Sequence, residues 1–204
     1  MNLIICAAGS SNRLKKLTKK KPKSLIQVGN KMIINRVLEN FNLKEIKKIF
    51  IIVGFKKDLL KKKISRKFIN KITFINNKIY KKTGNMHSLS LAMNNTDSDI
   101  IFVNADNLIN KNIVKKFVQH KNKNLVLIDK DKSLFEDDDP VKVKSRNYKL
   151  IKIDKKLSKK DTNAVAVGLY KLSIKNFNKY LKISNAIYKS GFINAGFIEP
   201  LKVI

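Results

Sequence analysis

Short apolar runs alternate along this chain with longer amphipathic ones, the rhythm of strands alternating with helices in a three-layer α/β domain. Leu3 to Cys6 reads as a first buried strand. Ile33, Ile34, Val37, Leu38 and Phe41 recur at helical spacing, which predicts a helix over 31–42. Ile49 to Val53 is a second strand closed by Gly54, and a lysine-rich helix is expected over 57–66. Ile72 to Ile75 is a third strand. Met86, Leu89, Ser90 and Met93 place a helix opening near Asn85, and Ile100 to Val103 is a fourth strand. A helix over 111–119 and a strand from Leu125 to Ile128 follow. Beyond residue 135 the rhythm changes. Val141 to Lys144 and Leu150 to Ile153 alternate as strands do, with Arg146-Asn147 between them as a hairpin turn. Ala164 to Leu169 is a further strand and 173–183 a helix. No repeat or proline-rich linker interrupts 1–204, so a single domain is expected.

Composition changes this picture little. With 43% apolar residues the chain can bury a real core. No stretch approaches the roughly 18 apolar residues of a membrane span, and no basic segment precedes the first apolar run. A soluble, cytoplasmic protein is the expectation. Cys6 stands alone, and with His87 and His120 as the only histidines there is no zinc-type cluster. Both histidines read as core or surface residues. The net charge of +30 would suit a nucleic-acid binder. Yet arginine is confined to Arg13, Arg36, Arg66 and Arg146, and the lysines are scattered without interleaved aromatics. Lys, Asn and Ile abundance reads as compositional bias, and no dedicated nucleic-acid partner is expected.

The candidate chemistry begins directly after the first strand. Ala7-Ala8-Gly9-Ser10-Ser11-Asn12 lets the backbone approach a ligand closely, and its N–H groups form an anion nest. Arg13 supplies a planar donor fork for phosphate, and Lys23, behind the rigid Pro22, a positioned charge. The same residues would also close an ordinary strand-to-helix connection. Their succession decides for chemistry: Ala7-Ala8-Gly9 with Arg13-Leu14, then Thr18, Pro22-Lys23-Ser24-Leu25 and Val28-Gly29-Asn30-Lys31. It resembles the N-terminal pattern of the sugar-phosphate and alcohol-phosphate nucleotidyltransferases. One departure is Ser11, where many members carry a second glycine.

Two later segments fit that resemblance. Gly84-Asn85-Met86-His87-Ser88-Leu89 is similar to the family's Gly-Asn-x-x-Ser-Leu segment, which implies nucleotide contacts from Asn85 and Ser88. An asparagine at a helix start would equally serve as a cap. Asp106, in Asn104-Ala105-Asp106-Asn107 at the end of the fourth strand, resembles the family's Mg²⁺-binding carboxylate. A strand-terminal aspartate also caps the next helix.

The resemblance implies a Rossmann-like (GT-A-like) three-layer α/β/α fold with a mixed, mainly parallel central sheet. Pro140-Val141-Lys142-Val143, Ile151 to Lys155 and Gly168-Leu169-Tyr170 look most like cytidylyltransferases acting on phosphocholine or 2-aminoethylphosphonate. CTP, Mg²⁺ and a small phosphorylated acceptor are the implied partners. Arg13 and Lys23 are the implied catalytic residues. The acidic run Glu136-Asp137-Asp138-Asp139 beside Phe135 would attract an amine head group, or simply be a solvated loop. Family members usually continue to a Trp-x-Glu-Ile-Asp strand carrying a second metal ligand. This chain reads Asn194-Ala195-Gly196-Phe197-Ile198-Glu199 instead, so that ligand is expected from elsewhere, or the domain is short at its C-terminus.

Overall fold

The computed structural model describes residues 1–10, 15–92, 95–136 and 139–204. Its elements are β1 (Asn2–Ala7), the single turn α1 (Lys15–Thr18), β2 (Gln27–Val28), β3 (Lys31–Met32) and α2 (Ile33–Asn40). Next come β4 (Ile49–Val53), α3 (Lys57–Lys63), β5 (Ile72–Asn76), α4 (Asn85–Ser90), β6 (Ile100–Asn104), α5 (Lys111–Gln119) and β7 (Leu125–Asp129). The hairpin β8 (Lys142–Arg146) and β9 (Lys149–Asp154) leads into β10 (Ala164–Leu172) and α6 (Ile174–Lys189). The main sheet runs β5-β4-β1-β6-β10-β8-β9, with β7 also on β10. β5, β4, β1 and β6 are mutually parallel, whereas β10 is antiparallel to β6, β7 and β8.

Strand alternation sorts the core into two layers. Leu3, Ile5, Ile49, Ile51, Val53, Ile101 and Val103 face one side, where α2, α3 and α5 bring Ile34, Leu38, Leu60 and Val114. Ile4, Phe50, Ile52, Ile100 and Phe102 face the other, against Met86 and Leu89 of α4 and Phe177, Tyr180 and Leu181 of α6. The three central strands are therefore apolar on both faces, as parallel strands under two helical layers must be. Each such side chain contributes about 1.5–3 kcal/mol on burial.

Some boundaries depart from the sequence expectation for local reasons. The helix expected over 31–42 begins at Ile33, because Lys31–Met32 pairs with Gln27–Val28 around Gly29, whose φ is +61°. The helix expected over 57–66 ends at Lys63; Ile64 is extended and a 3₁₀ segment follows over Arg66–Lys71. The hairpin turn falls on Asn147 and Tyr148, both at positive φ, one residue later than expected. α6 runs to Lys189, past the 183 the apolar spacing suggested. Met93, placed on the α4 helix by its spacing, lies outside the described residues. Among the described residues no helix is long and apolar enough to cross a membrane.

Candidate active site

The connections β1–α2–β4 and β4–α3–β5 cross on one face of the sheet, and β5–α4–β6 crosses on the other. Because β6 lies on the opposite side of β1 from β4, the chain reverses direction between β1 and β6. A crevice opens at such a reversal, outside the carboxyl ends of the strands. Its walls are braced by backbone: Ala105 N–H donates to the Cys6 carbonyl at 3.1 Å, and Phe55 N–H to the Ala8 carbonyl at 2.9 Å. Gly54 permits that second contact, since a Cβ there would lie 2.7 Å from the Ala8 oxygen.

The crevice, about 260 Å³, is lined by Ala7, Gly9, Lys23, Asn85, Asn104 and Asp106, with Cys6, Pro22, Ser24 and Ala105 completing its wall. Among the described residues, a Cβ on Gly9 would meet nothing within 4 Å. Pro22, at φ −58° and ψ 148°, directs the chain into the 3₁₀ turn Lys23–Leu25. That turn carries the Lys23 ammonium to 2.7 Å from Oδ2 of Asp106. Asn85 is the first residue of α4, and its Nδ2 lies 3.5 Å from Oδ1 of Asn104. Five sequence-expected positions thus line one crevice: Ala7, Gly9, Lys23, Asn85 and Asp106.

Of the other expected positions, those that the structure describes do not line it. Ala8 is buried behind the loop and Ser10 is half-buried beyond Gly9. Ser11, Asn12 and Arg13 lie outside the described residues, as do Asp137 and Asp138. Ser88 sits in the core rather than the crevice lining, where its Oγ accepts from Asn77 Nδ2 at 3.2 Å. Asn77 also donates to Thr83 Oγ1 at 3.0 Å, so Ser88 helps to fix the loop that leads into Asn85. In the acidic run, Glu136 pairs with Lys159 and Asp139 with Lys155, all at the surface. Lys159 holds the Glu136 carboxyl below its ordinary range. His87 stacks on Tyr188 with ring centroids 5.2 Å apart, and burial lowers its pKa. His120 accepts from the Asn122 N–H at the far end of α5.

Asn104 and Ser24, which lie within the motif segments but carry no expected role, also line the crevice. Asn104 is the last residue of β6, and Asp106 lies two residues on, in the turn that follows. Ser24 is 3% exposed, and its hydroxyl has no hydrogen-bond partner among the described residues. No periodicity marks such a residue.

The donor set suits Mg²⁺. Asp106 already has a cation, the Lys23 ammonium, at bonding distance, and its side chain is about a third exposed. Among the described residues no three His, Cys, Asp or Glu side chains cluster as ligands. Magnesium commonly takes one or two protein carboxylates and completes its shell with phosphate and water, which a single Asp106 in an open crevice allows.

Comparison with known proteins bears on this geometry. A family model described as Nucleotidyl transferase matches residues 2–194. The CTP:phosphoglutamine cytidylyltransferase of Campylobacter jejuni is 30% identical over 187 residues, covering 85% of this chain and 73% of that protein. The choline-phosphate cytidylyltransferase of Streptococcus pneumoniae is 34% identical over 118 residues, 56% of this chain and 48% of the relative. Among solved structures, the inositol-1-phosphate CTP transferase from T. maritima superposes with a TM-score of 0.78 at 17% identity, covering 98% of this chain and 79% of that one. At that identity the likeness is one of fold.

Proposed function

The chain belongs to the nucleotidyl transferase family, and from that premise we propose that it transfers CMP from CTP to a small phosphorylated alcohol or a phosphonate, releasing pyrophosphate. The observation that carries this reading is Lys23 facing Asp106 across a crevice floored by the small-residue loop Ala7–Gly9. The preference for CTP draws on the cytidylyltransferases among its relatives and on the 140–170 half of the sequence.

The reaction needs little covalent help from the protein. An ionised acceptor oxygen attacks the α-phosphorus in line, a P–O bond forms, and the bond to the departing pyrophosphate breaks. The nucleophile is already ionised, so no general base is required, and catalysis is positioning and charge neutralisation. Backbone N–H groups of the Ala7–Gly9 loop would cradle the phosphates. Lys23 would leave Asp106 for the α-phosphate, and Arg13, assigned on its motif position alone, would take the pyrophosphate. Mg²⁺, when bound by Asp106, would supply charge neutralisation across the phosphate oxygens. Asn85 and Asn104 offer carboxamides suited to the base or ribose. The acidic run 136–139 would draw in an amine head group only in competition with Lys155 and Lys159.

The test is pyrophosphate release with CTP and Mg²⁺ across phosphocholine, 2-aminoethylphosphonate, glycerol phosphate and sugar phosphates, with UTP and dTTP as alternative donors. Turnover confined to CTP with one of the first three acceptors is expected. Turnover only with UTP or dTTP and a sugar phosphate would replace this reading. CTP binding without any release would make the chain a non-catalytic relative.

A further inference from the structure

The residue after the proposed metal ligand makes the most specific contact of its turn. Asn107 donates from Nδ2 to the Val167 carbonyl at 2.6 Å, while its backbone N–H closes the turn onto the Asn104 carbonyl at 3.2 Å. The partner strand is irregular at that point. Pairing of β10 with β7 shifts register between Ala166 and Tyr170, and Val167 and Gly168 have no ladder partner among the described residues. The bulge presents the Val167 carbonyl to a side chain from another strand end. Gly168 has φ +79°, a conformation that L side chains rarely adopt. A Cβ there would collide with Asn107 Nδ2 and lie 3.2 Å from Asn104 Nδ2. Bulges of this kind re-aim neighbouring groups beside active sites.

We propose that Asn107 is a positioning residue: it clasps the Asp106 turn to the bulge of β10 and so fixes where the Asp106 carboxylate stands. The assignment rests on the nucleotidyl-transfer reading for its consequence, but its mechanics are independent of that reading. Asp106 itself is held by one ion pair at the crevice wall, and the N–H of Ala105 ties only the near side of the turn to β1. The clasp ties the far side to a strand that also pairs with β8, at Ala164 and Val165. The carboxylate position is therefore set by both halves of the sheet.

Three variants of the full chain test this: Asn107→Ala, Gly168→Ala and the double substitution. Amide hydrogen exchange at Ala105 and Asn107 reads the turn without any ligand. Mn²⁺ affinity in the presence of CTP, followed by electron paramagnetic resonance, reads the carboxylate, with metal-free CTP affinity as the control. Asn107→Ala is expected to speed exchange at Asn107 at least tenfold and to weaken Mn²⁺ uptake about tenfold. Metal-free CTP binding should stay within twofold. Gly168→Ala should also speed exchange and weaken Mn²⁺ uptake. In the Asn107→Ala background its effect should shrink but not vanish, since the displaced amide is gone while the strain at φ +79° and the contact with Asn104 remain. Exchange and Mn²⁺ affinity both unchanged in a folded Asn107→Ala variant, or fully additive losses in the double, overturn the clasp. Wild-type protein that takes up no Mn²⁺ with CTP overturns the transfer reading instead, and the exchange measurement then decides the clasp by itself.

Discussion

Nζ of Lys23 and Oδ2 of Asp106 lie 2.7 Å apart, each on a side chain about a third exposed, so the proposed phosphate ligand and the proposed metal ligand satisfy one another. A pair this exposed is worth only about 0–1 kcal/mol. On the proposed reading, a metal–triphosphate complex would exchange both partners at little cost. Free metal has less to offer Asp106, because it must displace the ammonium without bringing a phosphate to receive it.

This relationship makes Lys23→Ala informative in two directions. Turnover should fall about 10²–10³-fold, as loss of a charge contact made in the transition state does. Mn²⁺ binding without nucleotide should instead tighten severalfold, because the competing cation has left Asp106. Steady-state kinetics and Mn²⁺ titration read the two effects. An unchanged kcat would remove Lys23 from the mechanism.

Ser24 supports a prediction of opposite signs. Its hydroxyl is buried beside Lys23 without a partner among the described residues, and an unsatisfied buried group costs about 1–3 kcal/mol. Ser24→Ala should therefore raise Tm, by about 2–4 °C for each kcal/mol recovered. If the hydroxyl serves the bound nucleotide, CTP affinity should fall roughly three- to tenfold in the same variant. Calorimetry and a binding isotherm decide this. A raised Tm with unchanged affinity would make Ser24 a plain packing residue.

Both residues show what the sequence makes legible and what it hides. The strand and helix sequence was readable because Leu3, Ile5, Ile49, Ile51 and Ile101 alternate with residues that a second helical layer buries, giving unbroken apolar runs. Ala7, Gly9, Lys23, Asn85 and Asp106 were readable because each occupies a motif position, and the fold collects them at one crevice. The roles of Ser24 and Asn107, although both stand within the motif segments, and of Asn77 were not. They arise from side-chain hydrogen bonds, or the lack of one, that depend on how the chain folds back, over 6 and 11 residues for Asn77 and over 60 for Asn107, which apolar periodicity does not encode. The bulge at Gly168 was hidden for the same reason: a glycine within a strand run signals an irregularity without naming the side chain that fills it.

Acid stability should depend on Asp154. Its carboxylate accepts from the Lys156 backbone N–H at 2.9 Å and from Lys202 at 2.9 Å, and these contacts, the first foremost, hold its pKa below the ordinary aspartate value. A depressed folded-state pKa gives stability that is fully present above the unfolded value, about 3.9, and lost as pH falls through the folded one. Wild-type Tm should therefore decline progressively below about pH 4. Asp154→Asn should lose about 1 kcal/mol at neutral pH and show a shallower decline in acid. Parallel slopes for the two proteins between pH 4 and pH 2 would assign the acid loss to other carboxylates.

Gly84→Ala tests how the segment around Asn194 and Ala195 supports the proposed nucleotide crevice. Gly84 has φ −84° and ψ −176°, ordinary extended backbone, so its need for glycine is steric rather than conformational. A Cβ there would collide with the Ala195 carbonyl oxygen and lie 2.7 Å from that of Asn194. Those obstacles are backbone, and the strap that carries them is pinned: Gly84 N–H donates to the Ile193 carbonyl at 3.2 Å, and Tyr180 Oη to the Phe197 carbonyl at 2.9 Å. Neither side can yield cheaply, so the variant should lose about 1–3 kcal/mol of stability. Asn85 is the next residue and lines the crevice, so any shift of the helix start displaces its carboxamide. A contact made equally in ground and transition states raises KM with kcat unchanged when it is lost. The expected outcome is a Tm several degrees lower and a KM for CTP raised severalfold, with kcat within twofold of wild type. An unchanged Tm would show that the strap moves aside freely, and an unchanged KM beside a lowered Tm would separate Asn85 from the nucleotide.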